Sequence, residues 1–256
     1  MVVDKDAVKI RRMFAAISPR YDLLNHLLSL NLDKSWRRRT VEALELSPSS
    51  RVLDVCAGTA DLAFELERQI DSQQGGSVIA SDFTFDMVRI AQQKRTQRQK
   101  RMPGLFVADT LRLPFASATF DAVTVGFGIR NVAHLQTALM EMFRVLRPGG
   151  QVAILEFSTP RTKLLQGFYR FYFHHVLPRI GAWISGSNAG KGAYEYLPQS
   201  VAEFPTPDGL TDVLREFGFT DVRYRAFTCG VAVLHVGRRP AETSAESLRR
   251  IEVEAE

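Results

Sequence analysis

Between Arg51 and Asp61 the chain runs Arg-Val-Leu-Asp-Val-Cys-Ala-Gly-Thr-Ala-Asp. Val52, Leu53 and Val55 form an apolar run of strand character that gives way to a turn of small residues centred on Gly58. Leu62, Leu66 and Ile70 then recur at every fourth position, so a helix starts at Asp61. A strand, a tight turn and a helix start in so short a space demand a βα unit, whose turn leaves backbone N–H groups open to close approach. Such a turn cradles a nucleotide-like ligand at the helix N-terminus. Asp54 and Asp61 flank it. Two carboxylates repel a pyrophosphate and favour a ligand that carries positive charge.

The rest of the chain extends that unit. Strand patterns fall at Arg51–Val55, Ser77–Ser81, Leu105–Val107, Ala122–Phe127 and Gln151–Phe157. Helical patterns lie at Asp61–Ile70, Phe85–Gln97 and Leu135–Leu146, the last stopped by Arg147-Pro148-Gly149-Gly150. Strands separated by helices predict a parallel sheet covered on both faces. Near the end, Val222–Phe227 and Val231–Gly237 read as two strands joined by Thr228-Cys229-Gly230, an antiparallel pair. The expected fold is α/β: a Rossmann-like, seven-stranded, mostly parallel sheet with one antiparallel edge hairpin. Helices at Asp22–Leu30 and Trp36–Leu46 precede it within residues 1–46. Residues 1–240 are expected to form one domain, with a helical lid insertion at 161–205 and a mobile charged tail at 241–256. Phe168, Phe171, Phe173 and Trp183 make the insertion too aromatic for an ordinary crossover, and Arg161, Lys163, Arg170 and Arg179 punctuate it.

Composition narrows the partners. The chain has 256 residues, 45% of them hydrophobic, enough for a full core. No apolar run reaches the ~18 residues of a membrane span, and the N-terminus does not read as a signal peptide, so the expected location is cytoplasmic. Cys56 and Cys229 are the two cysteines; both are expected to be reduced, and no Cys or His spacing offers a metal site. The net charge is +5, much of it from Arg89, Lys94, Arg95, Arg98, Lys100 and Arg101. No aromatic residue interleaves that cluster, so it reads as a solvated helix end, and no nucleic-acid partner is expected.

The second strand ends in Ser81-Asp82-Phe83 and the third in Ala108-Asp109-Thr110. A carboxylate at Asp82 suits the vicinal hydroxyls of a ribose, and one at Asp109 can accept from an exocyclic adenine amine. The dinucleotide fingerprint wants a third glycine where Ala60 stands. With Asp54 and Asp61 flanking the turn, S-adenosylmethionine fits better than a nicotinamide dinucleotide. After the fourth strand come Gly126-Phe127-Gly128-Ile129-Arg130-Asn131-Val132. This turn sets a cation and an amide beside the crevice at the strand ends, where Arg130 can stabilise a phenolate and Asn131 can orient its oxygen.

Three stretches now stand out: Tyr21-Asp22-Leu23-Leu24-Asn25-His26-Leu27-Leu28-Ser29 running on to Trp36, Phe127-Gly128-Ile129-Arg130-Asn131-Val132, and Arg144-Val145-Leu146-Arg147-Pro148-Gly149-Gly150 through Ser158. On these, with Tyr194-Glu195-Tyr196-Leu197-Pro198, the chain resembles the ubiquinone/menaquinone biosynthesis C-methyltransferase family up to about Arg238. It departs from the family pattern at Leu24, Asp33, Ala60, Gly126 and Arg147, where Met, His, Gly, Ser and Lys are usual. The resemblance implies cofactor contacts at Thr59, Asp82, Asp109 and Thr110, which join Gly58 of the turn. Arg130 and Asn131 are the expected catalytic pair, and Tyr21 and Asp22 the expected polar contacts to the acceptor. The implied reaction moves a methyl group from S-adenosylmethionine to the ring of a prenylated quinol, demethylmenaquinol being preferred to a benzoquinol. Other expectations are a peripheral contact with the inner face of the cell membrane through the aromatic insertion, and a homodimer. A nicotinamide-dependent reductase, an RNA methyltransferase and a non-catalytic binding protein are the rival readings.

Overall fold

The computed structural model describes residues 6–98, 104–159 and 188–241. Three helices lead in: α1 (Ala7–Ile17), α2 (Tyr21–Leu28) and α3 (Leu32–Glu42). The alternating part runs β1 (Arg51–Val55), α4 (Asp61–Leu66), β2 (Ser77–Asp82), α5 (Phe85–Arg98), β3 (Gly104–Val107), β4 (Phe120–Gly126), α6 (Leu135–Val145) and β5 (Leu146–Phe157). The described chain then resumes with α7 (Asn188–Glu203), α8 (Pro207–Glu216), β6 (Thr220–Phe227) and β7 (Ala232–Arg238). The seven strands form one sheet in the order β3-β2-β1-β4-β5-β7-β6. β7 runs antiparallel to both β5 and β6, and the other pairings are parallel.

Alternation along the strands builds two cores. Val52, Ala122, Ala153 and Leu155 face Trp36, Leu62 and Leu66 on one side of the sheet. Leu53, Val123, Val125 and Ile154 face Leu139, Met142 and Leu210 on the other. A parallel sheet buried on both faces needs this doubly apolar pattern.

Some boundaries differ from the expected ones. α4 stops at Leu66 rather than Ile70, and α3 covers Leu32–Glu42 rather than Trp36–Leu46. Arg147–Gly150 ends the preceding helix but is no loop. It bulges within the long β5, whose pairing with β4 jumps from Phe120↔Leu146 to Ala122↔Gln151. Gly149 N–H donates to Arg239 O and Arg239 N–H returns a bond to Gly150 O, so the bulge is pinned to the end of β7. β4 ends at Gly126, because Phe127 turns left-handed at φ 60°. Two helices not expected, α1 and α8, carry clear start signals: Asp6 accepts from Val8 and Lys9 N–H, and Thr206 precedes Pro207 at the first position of α8. Both cysteines are free. The aromatic stretch Phe168–Trp183, the tail beyond Ala241, and Lys100 and Arg101 lie outside the described residues.

Candidate functional site

The strand order reverses between β1 and β4, and a crevice opens at the carboxyl ends of strands flanking such a switch. Two turns form its floor. The first, after β1, is left-handed at Cys56, Gly58 and Ala60, with φ of 50°, 57° and 67°. Gly58 is the residue type that such a φ favours, and the Tyr21 ring edge would lie 3.6 Å from any Cβ added there. The second is the 3-10 turn Ile129–Asn131 after β4.

Asp82 ties the first turn to the end of β2. Its Oδ2 accepts from Gly58 N–H at 2.8 Å and its Oδ1 from Thr84 N–H at 2.8 Å. Desolvation pushes its carboxyl above the usual range, against the downward pull of those two N–H groups. Each oxygen retains a lone pair for a ligand hydroxyl. Asp109 closes a turn by accepting from Leu111 N–H with Oδ1 at 2.9 Å, and its side chain is exposed at the rim.

The pocket between these turns encloses about 750 Å³, including its open mouth. Gly58, Asp82, Asp109, Thr110, Tyr21 and Asn131 line it, and Ile10 and Phe14 of α1 roof it. Phe83, Met87 and Leu111 add apolar wall. Two carboxylates face this space and no Lys, Arg or His does, among the described residues. That set fits a nucleoside with a diol and an amine, and it offers no counter-charge to a phosphate. A larger cleft, about 2320 Å³ with the open solvent in front of it, lies between α3 and α4. Opposite charges mix along it, with Arg37, Arg38 and Arg68 set among Asp61, Glu65 and Asp71.

The carboxylates singled out first have other work. Asp54 is fully buried, its Oδ1 accepting from Thr124 Oγ1 at 2.7 Å. Asp61 pairs with Lys94 at 2.7 Å, and that charge helps hold its carboxyl below the usual range against the opposing effect of burial. Neither lines the pocket, so the preference for an uncharged or cationic ligand rests on Asp82 and Asp109 instead. Ala60 is also turned away, its methyl packed in the core with Trp36 and Leu62.

Thr59 and Asp22 do not line the pocket either. The Thr59 hydroxyl donates to Asp22 Oδ1, and Lys94 Nζ donates to Thr59 Oγ1 at 2.9 Å while pairing with Asp22 Oδ2. The two residues fasten α2 to the turn. Lys94 is thus an internal ion-pair partner, and Arg89 pairs with Asp86, which removes two members from the basic cluster between residues 89 and 101. Thr110 is buried with its Oγ1 3.2 Å from Cys56 Sγ, and burial pushes that thiol up to about 12, too high for a nucleophile at neutral pH.

Arg130 and Asn131 sit on neighbouring positions with different surroundings. Arg130 is buried, and its Nη1 donates to Glu156 Oε1 at 2.7 Å and to Phe127 O. Glu156 Oε1 also accepts from Phe157 N–H, and Oε2 from Arg130 N–H at 3.3 Å. The pair therefore locks the turn, and the Arg130 Nε is buried without a partner. Asn131 faces the pocket with its side-chain oxygen buried and unpartnered. Glu156 was visible in the sequence as an acid inside an apolar strand, which calls for a buried cation.

A model of the ubiE/COQ5 methyltransferase family matches residues 1–239. A demethylmenaquinone methyltransferase of Deinococcus radiodurans is 48% identical over 229 residues, covering 89% of this chain and 91% of that relative. A ubiquinone/menaquinone biosynthesis C-methyltransferase, UbiE, of Geobacter sp. strain M21 is 44% identical over 90% of this chain and 96% of its own length. Among solved structures, a SAM-dependent methyltransferase of Thermotoga maritima superposes with a TM-score of 0.62 at 18% identity, over 90% of this chain and 99% of that one. At that identity the likeness is one of fold.

Proposed function

Because the chain belongs to the ubiE/COQ5 methyltransferase family, we propose that it methylates a ring carbon of demethylmenaquinol to give menaquinol. The observation that carries this reading is a carboxylate-lined pocket, free of cations, that ends on the unpartnered Asn131 oxygen. Bound S-adenosylmethionine supplies an electrophilic methyl group. Asp82 and Asp109 would hold its nucleoside part, with Gly58 leaving room for it and Thr110 in the wall.

A quinol ring carbon is a weak nucleophile until a neighbouring hydroxyl loses its proton to water; once the carbon has taken the methyl group it gives up its own hydrogen, the oxygen is reprotonated, and one proton is released in all. Asn131 accepts from that hydroxyl and fixes the ring. Arg130 itself is not in the pocket lining, but its buried, unpartnered Nε sits on the same turn as Asn131 and would donate to that oxygen once the ring is seated against Asn131. With Glu156 beside it, the guanidinium acts here as an aimed donor with little net charge. Tyr21, packed over Gly58, borders the same space, and its phenol is pushed above the usual value by burial. Alignment of ring and methyl group supplies the larger share of the rate, up to roughly 7–11 kcal/mol for well-oriented partners.

Truncating Arg130 would strand Glu156 and cost about 3–5 kcal/mol of stability, so Asn131 is the cleaner test. The purified chain is given methyl-labelled S-adenosylmethionine with reduced short-chain demethylmenaquinol, or with a 2-methoxy-6-polyprenyl benzoquinol. The expected result is one methyl gained by the naphthoquinol, with kcat/KM falling about 10- to 100-fold in Asn131→Ala at unchanged cofactor affinity. Cofactor binding without transfer to either quinol would sink the reading, and faster turnover of the benzoquinol would move it to ubiquinone biosynthesis. No helix among the described residues is long and apolar enough to cross a membrane. Contact of the aromatic segment with lipid is part of the proposal, and co-sedimentation with vesicles tests it.

A further inference from the structure

Three buried polar atoms near the end of β4 have no hydrogen-bond partner: Arg130 Nε, the Asn131 side-chain oxygen and the Tyr196 hydroxyl. Each such orphan costs about 1–3 kcal/mol, and native proteins keep few of them. Arg130 and Asn131 share one turn. Tyr196 stands on α7, which packs against that turn and against α1, the roof of the pocket. The charges of both Arg130 and Glu156 act on the Tyr196 hydroxyl.

The three orphans complement one another. The Arg130 Nε–H lacks an acceptor, the Asn131 oxygen lacks a donor, and a phenolic hydroxyl can serve as either. A single phenol group placed between them would satisfy all three. Its hydrogen goes to Asn131, and its oxygen accepts from Arg130 and Tyr196. An amine has one lone pair for two waiting donors, and a phosphate diester has no hydrogen to give the amide oxygen.

We propose that Tyr196 is a substrate-contacting residue whose hydroxyl donates to the ring oxygen of the acceptor, completing with Arg130 Nε and Asn131 a subsite for a phenol that ionises. This rests on the quinol reading above and adds a residue from a different element to it. Tyr196 gives a hydrogen bond, not a proton, and no bond to its hydrogen breaks. Burial pushes its phenol up to about 12, so it stays a donor across the working pH range. As the acceptor oxygen gains negative charge, the bond from Tyr196 strengthens, which is the condition for acting on the transition state.

Tyr196→Phe removes the hydroxyl alone, and Tyr196→His puts back a shorter donor. With reduced short-chain demethylmenaquinol, Tyr196→Phe should lose about 10-fold or more in kcat/KM. The acid limb of its pH profile should move about one unit upward, cofactor affinity should be unchanged, and Tyr196→His should recover part of the loss. A second readout needs no turnover: 1-naphthol, bound to the wild-type chain and titrated by absorbance, should ionise at lower pH than free naphthol, and by about one unit less in Tyr196→Phe. Wild-type kcat/KM, pH profile and naphthol titration in Tyr196→Phe would overturn the assignment and leave the quinol reading standing. A wild-type chain that methylates neither quinol overturns that reading and this assignment with it. Should both variants unfold, bound naphthol that ionises like free naphthol in the wild type is the result that refutes the subsite.

Discussion

Asp54 occupies the centre of the sheet at zero exposure, with its Oδ2 unpartnered. Desolvation pushes its carboxyl up to about 7, against the weaker pull of the Thr124 hydroxyl and the Arg37 charge. A folded-state value raised above the unfolded one stabilises the chain in acid, and the benefit drains away as pH rises from the unfolded value towards 7. From pH 5 to pH 8 the loss is roughly 3 kcal/mol, given 1.36 kcal/mol per unit, or several degrees of melting temperature for a domain of this size. Asn at position 54 keeps an acceptor for Thr124 and has nothing to ionise. Asp54→Asn should therefore melt at nearly the same temperature at both pH values, while the wild type drops. Parallel drops in thermal melts of the two proteins would take Asp54 out of the account. Ala60 makes the converse point at the same scale. It stands at φ 67°, where a Cβ costs about 1–2 kcal/mol, yet its methyl is buried in the core, which returns much of that.

Among the leading helices, α3 buries Trp36 and Val41 in the core, while charged contacts tie α2 to its neighbours. α1 has no fully buried residue. His26 Nδ1 lies 2.8 Å from Asp33 Oδ2, and Ser29 and Arg37 also bond the Asp33 carboxylate. Asp33 thus anchors this end of α3. Lys94 of α5 joins Asp22 to Asp61. The carboxyls of Asp33 and Asp61 both lie below the usual range: burial raises each, and the combined pull of hydrogen bonds and neighbouring cations outweighs it. Lowered values stabilise the fold above the unfolded pKa, and that support is lost as pH falls below about 4. Acid should consequently free α1–α3 before the sheet opens. Hydrogen exchange at pH 3 is expected to show residues 7–42 losing protection while β1, β4 and β5 keep theirs; simultaneous loss would count against a separate clamp. The elements themselves were largely legible, since period-two and period-four patterns are local. α1 and α8 were missed although their caps and an amphipathic pattern were both present, since neither lies inside the βα series that organised the rest. Arg147–Gly150 misled for a related reason: Pro-Gly-Gly does end a helix, and only the partner strands show that it continues as a bulge.

For the molecule as a whole, the legible part was whatever a strand end dictates. Asp82, Asp109 and Asn131 follow parallel strands, and topology alone carries them to one crevice. The partners that modify those positions lie far away in sequence. Glu156 neutralises Arg130, and Lys94 diverts Asp22, Thr59 and Asp61 into a clamp. A local pattern can flag Glu156 as needing a cation, but it does not say which cation the fold will bring. The roof is a further product of the assembled fold. α1 lays Ile10 and Phe14 over the pocket proposed for the cofactor, with Phe14 edge-on to Tyr21 at 6.0 Å, yet both stay only half-buried. Their remaining apolar surface faces the space a nucleoside would fill, so ligand and helix should complete one another's packing. Saturation with S-adenosylmethionine at ~100 times Kd should stabilise the chain by about 2.7 kcal/mol, a rise of roughly 5–10 °C in Tm. Phe14→Ala should leave the ligand-free Tm within about 2 °C, because α1 adds little to the core, and should weaken cofactor affinity by about tenfold. A tenfold loss is roughly 1.4 kcal/mol, which halves the ligand-induced rise. Thermal scanning with and without cofactor reads both quantities, and an undiminished rise in Phe14→Ala would mean that α1 covers the pocket without contributing to what it binds.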